Sequence, residues 1–377
     1  MTQESNARRA ARLPHSRRAS LAKGDPVPPA IVPAAIYNLP GDPTGFRSYG
    51  RSDNPTWDAV EHALGLLEDA PALGFPSGMA AITAAFLATL KAGDKVLLPS
   101  DGYYGARVLA DRVLARLGVG IEQRPTAQFA DGGFEGFRVV YLETPSNPGL
   151  DIADIRAISD AAHAAGALVM VDNTTMTPLG QRPLDLGADL VVAADTKAPN
   201  GHSDTLFGHV ASRDPALMEA VSDWRRISGS IPSPFDAWLV HRGLETLEVR
   251  FSRMCDSAQV IAESLRGHPA LSALRYPGLP DDPSHNLAST QMERFGILLG
   301  LTLRSEEAAE RFMAACPFIQ PATSFGGVHT SAERRARWGD LVAPGFVRLS
   351  VGCEPTAELR DALLAALDEA EKMPAGL

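Results

Sequence analysis

The sequence predicts an α/β fold, a mainly parallel sheet covered by helices, with a smaller C-terminal α+β segment. Three observations predict it. Short apolar strands alternate with helical stretches over residues 73–211, the pattern of a sheet with helices on both faces. Two runs of small and β-branched residues, 168–171 and 190–193, read as strands buried on both faces. Asp172 closes the first and Lys197 follows the second; ligands in such sheets sit at the carboxyl ends of strands. Beyond a long helical stretch, residues 297–302 and 346–351 read as strands and 356–372 as a helix.

The elements follow in order. Residues 1–23 carry Arg8, Arg9, Arg12, Arg17, Arg18 and Lys23 with little apolar content. They read as a solvated, partly disordered tail, with an acidic neighbouring subunit or a nucleic acid as the alternative role. Residues 26–43 are Pro-rich and read as an extended arm, so 1–45 form an N-terminal arm. Asn54-Pro55 opens a helix, Asn54 at the N-cap and Pro55 at the first helical position. Trp57, Val60, Leu64 and Leu67 share one face of it. Residues 46–235 are expected to form a large cofactor-binding domain, with its clearest strands at 95–98, 139–142, 167–171 and 190–193. Its clearest helices are 79–90, 154–165 and the stretch after Gly105. One long helix is expected over 234–263, within a smaller domain of residues 236–377.

Bulk properties exclude several function classes. A composition of 45% hydrophobic and 21% charged residues is that of an ordinary globular enzyme. A formal charge of −10 argues against a protein-wide nucleic-acid surface. Cys255, Cys316 and Cys353 are too few and too scattered for a disulfide framework or a zinc knuckle. The apolar helix at 79–90 is too short to span a bilayer, and the N-terminus lacks a signal-like apolar stretch. The expectation is a cytoplasmic protein without membrane or nucleic-acid partners. His202, Ser203 and Asp204 are adjacent and cannot by themselves form a nucleophile triad. His202 and His209 lack companions for a metal site, so none is expected.

Asp172 and Lys197 carry the chemistry. A lysine that forms a Schiff base with a cofactor aldehyde, and a carboxylate that keeps a pyridine nitrogen protonated, are what pyridoxal 5'-phosphate needs. Ser77-Gly78-Met79-Ala80 lies between a short strand and a helix. Free amides there can bind an anion, or the serine is simply a cap. Thr196 could add a hydroxyl to the same phosphate. Tyr103-Tyr104-Gly105 follows a strand end, where an aromatic can stack on a flat ring or merely pack. Asn147, in Thr144-Pro145-Ser146-Asn147-Pro148, can donate to a ring oxygen or shape a turn. Arg348 lies inside the apolar strand 346–351. It must meet an anion there, either a substrate carboxylate or a structural ion-pair partner.

Together these segments resemble the Cys/Met-metabolism family of pyridoxal phosphate enzymes. The matching motifs include Tyr49-Gly50-Arg51-Ser52-Asp53-Asn54-Pro55, Ser77-Gly78-Met79-Ala80-Ala81, Tyr104-Gly105, Glu143-Thr144-Pro145-Ser146-Asn147-Pro148, Val171-Asp172-Asn173-Thr174 and Thr196-Lys197. They continue through Gly201-His202-Ser203-Asp204, Arg242-Gly243-Leu244-Glu245-Thr246-Leu247, Ser324-Phe325-Gly326-Gly327 and Val347-Arg348-Leu349-Ser350-Val351-Gly352. The resemblance implies the fold-type I architecture. It implies that Lys197 carries the cofactor and shuttles protons, with Asp172 on the ring nitrogen. Tyr104 would stack on the ring and assist proton transfer, and Gly78, Met79 and Thr196 would hold the phosphate. Tyr49 and Arg51 would reach the phosphate of a neighbouring subunit, making a homodimer the smallest active unit and a homotetramer the expected assembly. Arg348 would bind the amino-acid α-carboxylate, with Asn147 and Ser324 nearby.

The chain also departs from the family pattern. Thr175 and Ala198 replace frequent aromatics, Ala194 replaces a phosphate-binding serine, and Ala106-Arg107 follow Tyr-Gly. Val328-His329-Thr330-Ser331 replaces Val-Glu-Ser-Leu. These changes surround the distal end of the substrate. The implied activity is a carbon–sulfur lyase that converts L-cystathionine by γ-elimination to cysteine, 2-oxobutanoate and ammonia. Arg107 or His329 would bind a distal carboxylate. The alternatives are γ-replacement on an O-acylated homoserine, as in a γ-synthase or sulfhydrylase, and a cofactor-binding regulatory protein without turnover.

Overall fold

The computed structural model describes residues 6–372. The outermost residues of the expected N-terminal arm and C-terminal segment, 1–5 and 373–377, lie outside them. The larger sheet has seven strands: β1 (Ala72–Phe75), β2 (Lys95–Pro99), β3 (Gly120–Arg124), β4 (Val139–Glu143), β5 (Leu168–Asp172), β6 (Leu190–Ala193) and β7 (Gly208–Ala211). Their spatial order is β1-β7-β6-β5-β4-β2-β3. β7 pairs antiparallel with both β1 and β6, while β2 to β6 pair in parallel. β4 and β6 are buried throughout and β5 in all but its first residue, as expected of strands covered on both faces.

A five-stranded sheet follows: β8 (Leu271–Arg275), β9 (Leu298–Leu303), β10 (Gln320–Pro321), β11 (Ser331–Arg334) and β12 (Phe346–Ser350), in the order β10-β11-β12-β9-β8. The helices Glu306–Ala315 and Thr356–Glu371 bury Phe312, Leu359, Leu363 and Leu367 in its core. The mainly parallel large sheet and the smaller α+β portion are those the sequence predicts.

Two expectations need correction. The single helix over 234–263 is two, Pro234–Leu244 and Leu247–Leu265. The interruption lets Arg250 of the second helix donate to Gly243 O at 2.6 Å, Ala198 O at 2.7 Å and Pro199 O at 3.2 Å. One buried guanidinium thus ties the helix end to the loop after Lys197. Gly243 is required for that approach, since a Cβ there would lie 2.6 Å from Asn200 O and Pro199 O.

The basic N-terminal segment, where described, is not a solvated tail. Residues Asn6–Arg12 form a helix in which Arg9 is buried, and Leu13 beyond it is 2% exposed. Leu13 joins the same apolar cluster as Trp57 and Leu64. Asn6 donates to Leu179 O and Arg9 pairs with Asp69. The stretch after Gly105 is helical as expected, running as an α-helical segment, Tyr104–Leu109, a π segment, Ala110–Leu114, and a 3-10 turn, Ala115–Leu117.

Candidate active site

The strand ends β4, β5 and β6, the loop after β6 and the small sheet together enclose a cavity of about 360 Å³. Asp172 closes β5, where the β4–β5 register sets it beside Glu143. Its Oδ2 accepts from Tyr141 OH at 3.1 Å and its Oδ1 from Thr174 N at 2.9 Å. Burial nevertheless pushes its pKa up, against those hydrogen bonds. Glu143 accepts from Tyr103 N. Burial, and then the neighbouring Asp172, push it well above the carboxylate range. The hydrogen bonds from Tyr141 and Thr174 favour the ionised form of Asp172, which suits it to meet a cationic ring nitrogen.

Lys197 faces Asp172 from the loop after β6. Its Nζ donates to Ser324 Oγ at 2.6 Å and stands 4.9 Å from the centre of the Phe325 ring. Burial first, then Arg348, lower its pKa to about 8, so a sizeable share of the amine is neutral near physiological pH. Ser324 holds a positive φ of 87°, a strained backbone of the kind found at functional sites. The same residue's carbonyl accepts from Arg348 Nη2 at 3.1 Å.

Arg348, in β12, is 3% exposed. Its Nη1 donates to Asn147 Oδ1 at 2.6 Å and its Nη2 lies 3.3 Å from Glu333 Oε2. Both readings of Arg348 left open by the sequence therefore coexist: a structural carboxylate partner, and a face on the cavity. With its oxygen taken by Arg348, Asn147 has its amide N–H₂ as the donor for a cavity ligand.

The helix Gly78–Thr89 points its N-terminus at the cavity, and Ser77 Oγ caps it by accepting from Ala80 N. Gly78 is demanded by packing: a Cβ would lie 2.5 Å from the Ala194 Cβ. Gly78 and Met79 line the cavity as predicted. Thr196 lines it too, but its hydroxyl proton goes to Phe207 O at 3.1 Å and its oxygen accepts from Phe207 N. Donating to a phosphate would require breaking the first bond.

Several predicted residues lie elsewhere. Tyr104 is 54% exposed and stacks under Arg107; Tyr103, the preceding residue, lines the cavity instead. The helix starts at Tyr104, and its N-cap residue Tyr103, itself 39% exposed, is the one that borders the cavity. Arg107 donates to Gly102 O and reaches Asp340 at 3.9 Å, off the cavity wall. His329 lines an adjoining recess with Ser203 and Asp236. Tyr49 and Arg51 are outside the cavity; Tyr49 is 45% exposed and Arg51 donates to Arg226 O.

Sequence reasoning missed three groups. Arg335 lines the cavity, bonded to Glu333 and Asp340. Glu333 faces Arg348 in the β11–β12 register, which no local pattern announces. His209 sits between Asp195 and Glu68, all fully buried, with Nδ1 2.9 Å from Asp195 Oδ2 and Nε2 3.1 Å from Glu68 Oε1. Its pKa is raised to about 10 by the two carboxylates, against its own burial. Among the described residues no cluster of metal-ligating side chains occurs, and no helix is long and apolar enough to cross a membrane.

The cavity fits pyridoxal phosphate. A buried acid, a lysine with a lowered pKa and a helix N-terminus with glycine-enforced close packing stand around one space of suitable size.

Comparison with known proteins agrees. Residues 33–368 match the family model described as Cys/Met metabolism pyridoxal phosphate-dependent enzyme. A putative cystathionine γ-lyase of Streptomyces coelicolor is 51% identical over 354 residues, covering 92% of this chain and 90% of that protein. A cystathionine γ-synthase of Mycobacterium bovis is 40% identical over 339 residues, covering 86% of each. The crystal structure of cystathionine γ-synthase from Xanthomonas oryzae pv. oryzae in complex with cystathionine superposes with a TM-score of 0.92 at 33% identity, covering 98% of this chain and 99% of that one. The chain belongs to the Cys/Met-metabolism family of pyridoxal phosphate-dependent enzymes.

Proposed function

We propose that the protein is a carbon–sulfur lyase that converts L-cystathionine and water to cysteine, 2-oxobutanoate and ammonia. The observation that carries this reading is the half-buried amine of Lys197, its pKa lowered to about 8, on one cavity with Asp172 and Arg348. The 51% identity to a putative cystathionine γ-lyase supports elimination as the outcome.

Pyridoxal phosphate bound here supplies an electron sink for the pair left when the α-proton departs. Asp172 would hold the ring nitrogen in its protonated form. Gly78 and Met79 offer backbone amides to the phosphate. The Arg348 guanidinium grips the substrate α-carboxylate, steadied by Asn147 and Ser324 O. Lys197 Nζ removes the α-proton and relays protons between carbons. Tyr103, whose phenol burial pushes up, stays protonated at neutral pH and gives its proton to the departing sulfur. Tyr49 and Arg51 serve the site of a second copy, as their placement outside their own cavity allows; a homodimer is then the least active unit.

The second reading is γ-replacement on an O-acylated homoserine, favoured by the 40% identity to a γ-synthase. Incubation of the holoenzyme with L-cystathionine alone, followed by NMR, separates the two. Cysteine with 2-oxobutanoate is the expected result, abolished in Lys197→Ala. Homocysteine with pyruvate, or no product from an enzyme that has retained its cofactor, overturns the proposal.

A further inference from the structure

We propose that Arg335 recognises a second anionic group of the substrate, so that the cavity selects amino acids carrying two carboxylates. The inference rests on the reading above only in giving the α-carboxylate to Arg348.

Arg335 and Arg348 stand side by side on the cavity wall because both contact the same atom, Glu333 Oε2, at 2.7 and 3.3 Å. From there an alternating ladder of charges leads outward. Asp340 accepts from Arg335 Nε at 2.8 Å and contacts its Nη2 at 2.7 Å. Arg107 approaches Asp340 at 3.9 Å. Three guanidinium groups thus line up against two carboxylates. Arg337 touches Glu333 Oε1 at 3.5 Å from the solvent side, which adds to the surplus.

The fork of Arg335 is held but not exhausted. Its Nε donates to Asp340 and its Nη1 to Glu333, and Nη2 also contacts Asp340, which leaves N–H groups on the terminal nitrogens. A guanidinium with N–H groups to spare can take a further carboxylate. The residue lines the cavity and its side chain is only 13% exposed, so an anion reaching it is largely shielded from water. Two clamped guanidiniums on one wall suit a ligand with an anion at each end. Neither Arg107 nor His329 lines this cavity.

The test is calorimetric binding of glutarate and butyrate to the holoenzyme. The wild type is expected to bind glutarate more tightly. Arg335→Leu should weaken glutarate by roughly 10- to 100-fold, the size of a lost charge-assisted hydrogen bond, and butyrate far less. Arg335→Lys, which keeps the charge without the fork, should fall between them and serves if the leucine variant folds poorly. Equal weakening of both acids would mean that Arg335 acts only by steadying Glu333 and Arg348, and would overturn the proposal. So would a wild type without preference for glutarate. Because the readout is binding, an enzyme that prefers glutarate through Arg335 yet leaves L-cystathionine untouched keeps this assignment and removes the lyase reading.

Discussion

Lys197 and Ser324 meet across the two sheets: the amine on the loop after β6 donates at 2.6 Å to a hydroxyl beside the small sheet. Ser324 also accepts from Arg348 through its carbonyl. The Lys197 amine and the Arg348 guanidinium are therefore registered against one strained residue. Their mutual repulsion is part of what lowers the lysine.

That repulsion is measurable in the cofactor-free protein. Lys197 should become acetylated with a pH midpoint near 8 rather than 10.5, as read by peptide mass. Arg348→Leu removes a nearby positive charge, so the midpoint should move up. A midpoint unmoved from 10.5 in the wild type would show the amine to be solvated.

Tyr103 rather than Tyr104 should matter for turnover. Tyr103→Phe is expected to lower kcat on L-cystathionine by roughly 10²-fold, the scale of a lost acid–base group. Tyr104→Phe, altering a side chain that is 54% exposed, should change it by less than about threefold. Equal losses would contradict the placement.

The buried Glu68–His209–Asp195 group predicts a pH dependence of stability. His209 has a folded pKa of about 10 against an ordinary 6.5. Its contribution is complete below pH 6.5 and is lost as pH rises through about 10. Thermal unfolding across that window should show Tm falling with pH, and His209→Gln should flatten the fall. The variant should also lose about 3–5 kcal/mol at neutral pH, because two buried carboxylates lose their cation. An unchanged slope would show His209 to be neutral in the fold.

The packed N-terminal helix makes a contrary prediction to the sequence reading of that segment. Leu13→Ala should cost about 2–5 kcal/mol in denaturant unfolding, as for a buried core leucine. A cost near zero would return the segment to solvent.

These cases show where sequence was sufficient. The strands ending near Asp172 and Lys197, and Arg348 in an apolar strand, announce themselves through local pattern. An ionisable residue beside a run of buried ones has few explanations. The choice between adjacent tyrosines does not, because it depends on which one ends up at the helix N-cap. Arg335 and Glu333 were illegible because strand register, not spacing, puts Glu333 opposite Arg348. The basic segment misled for a similar reason: partners far along the chain, Leu179 among them, give Asn6–Arg12 a place to pack. The broken helix depends on Arg250 finding carbonyls some fifty residues away.

The central claim is that Lys197 is the attachment point of the cofactor in this cavity. Borohydride reduction of the holoenzyme, followed by peptide mass mapping, tests it most directly. A pyridoxyl group is expected on Lys197 alone, and none after Lys197→Ala. A label on another lysine, or no label on a protein that binds the cofactor, would contradict it.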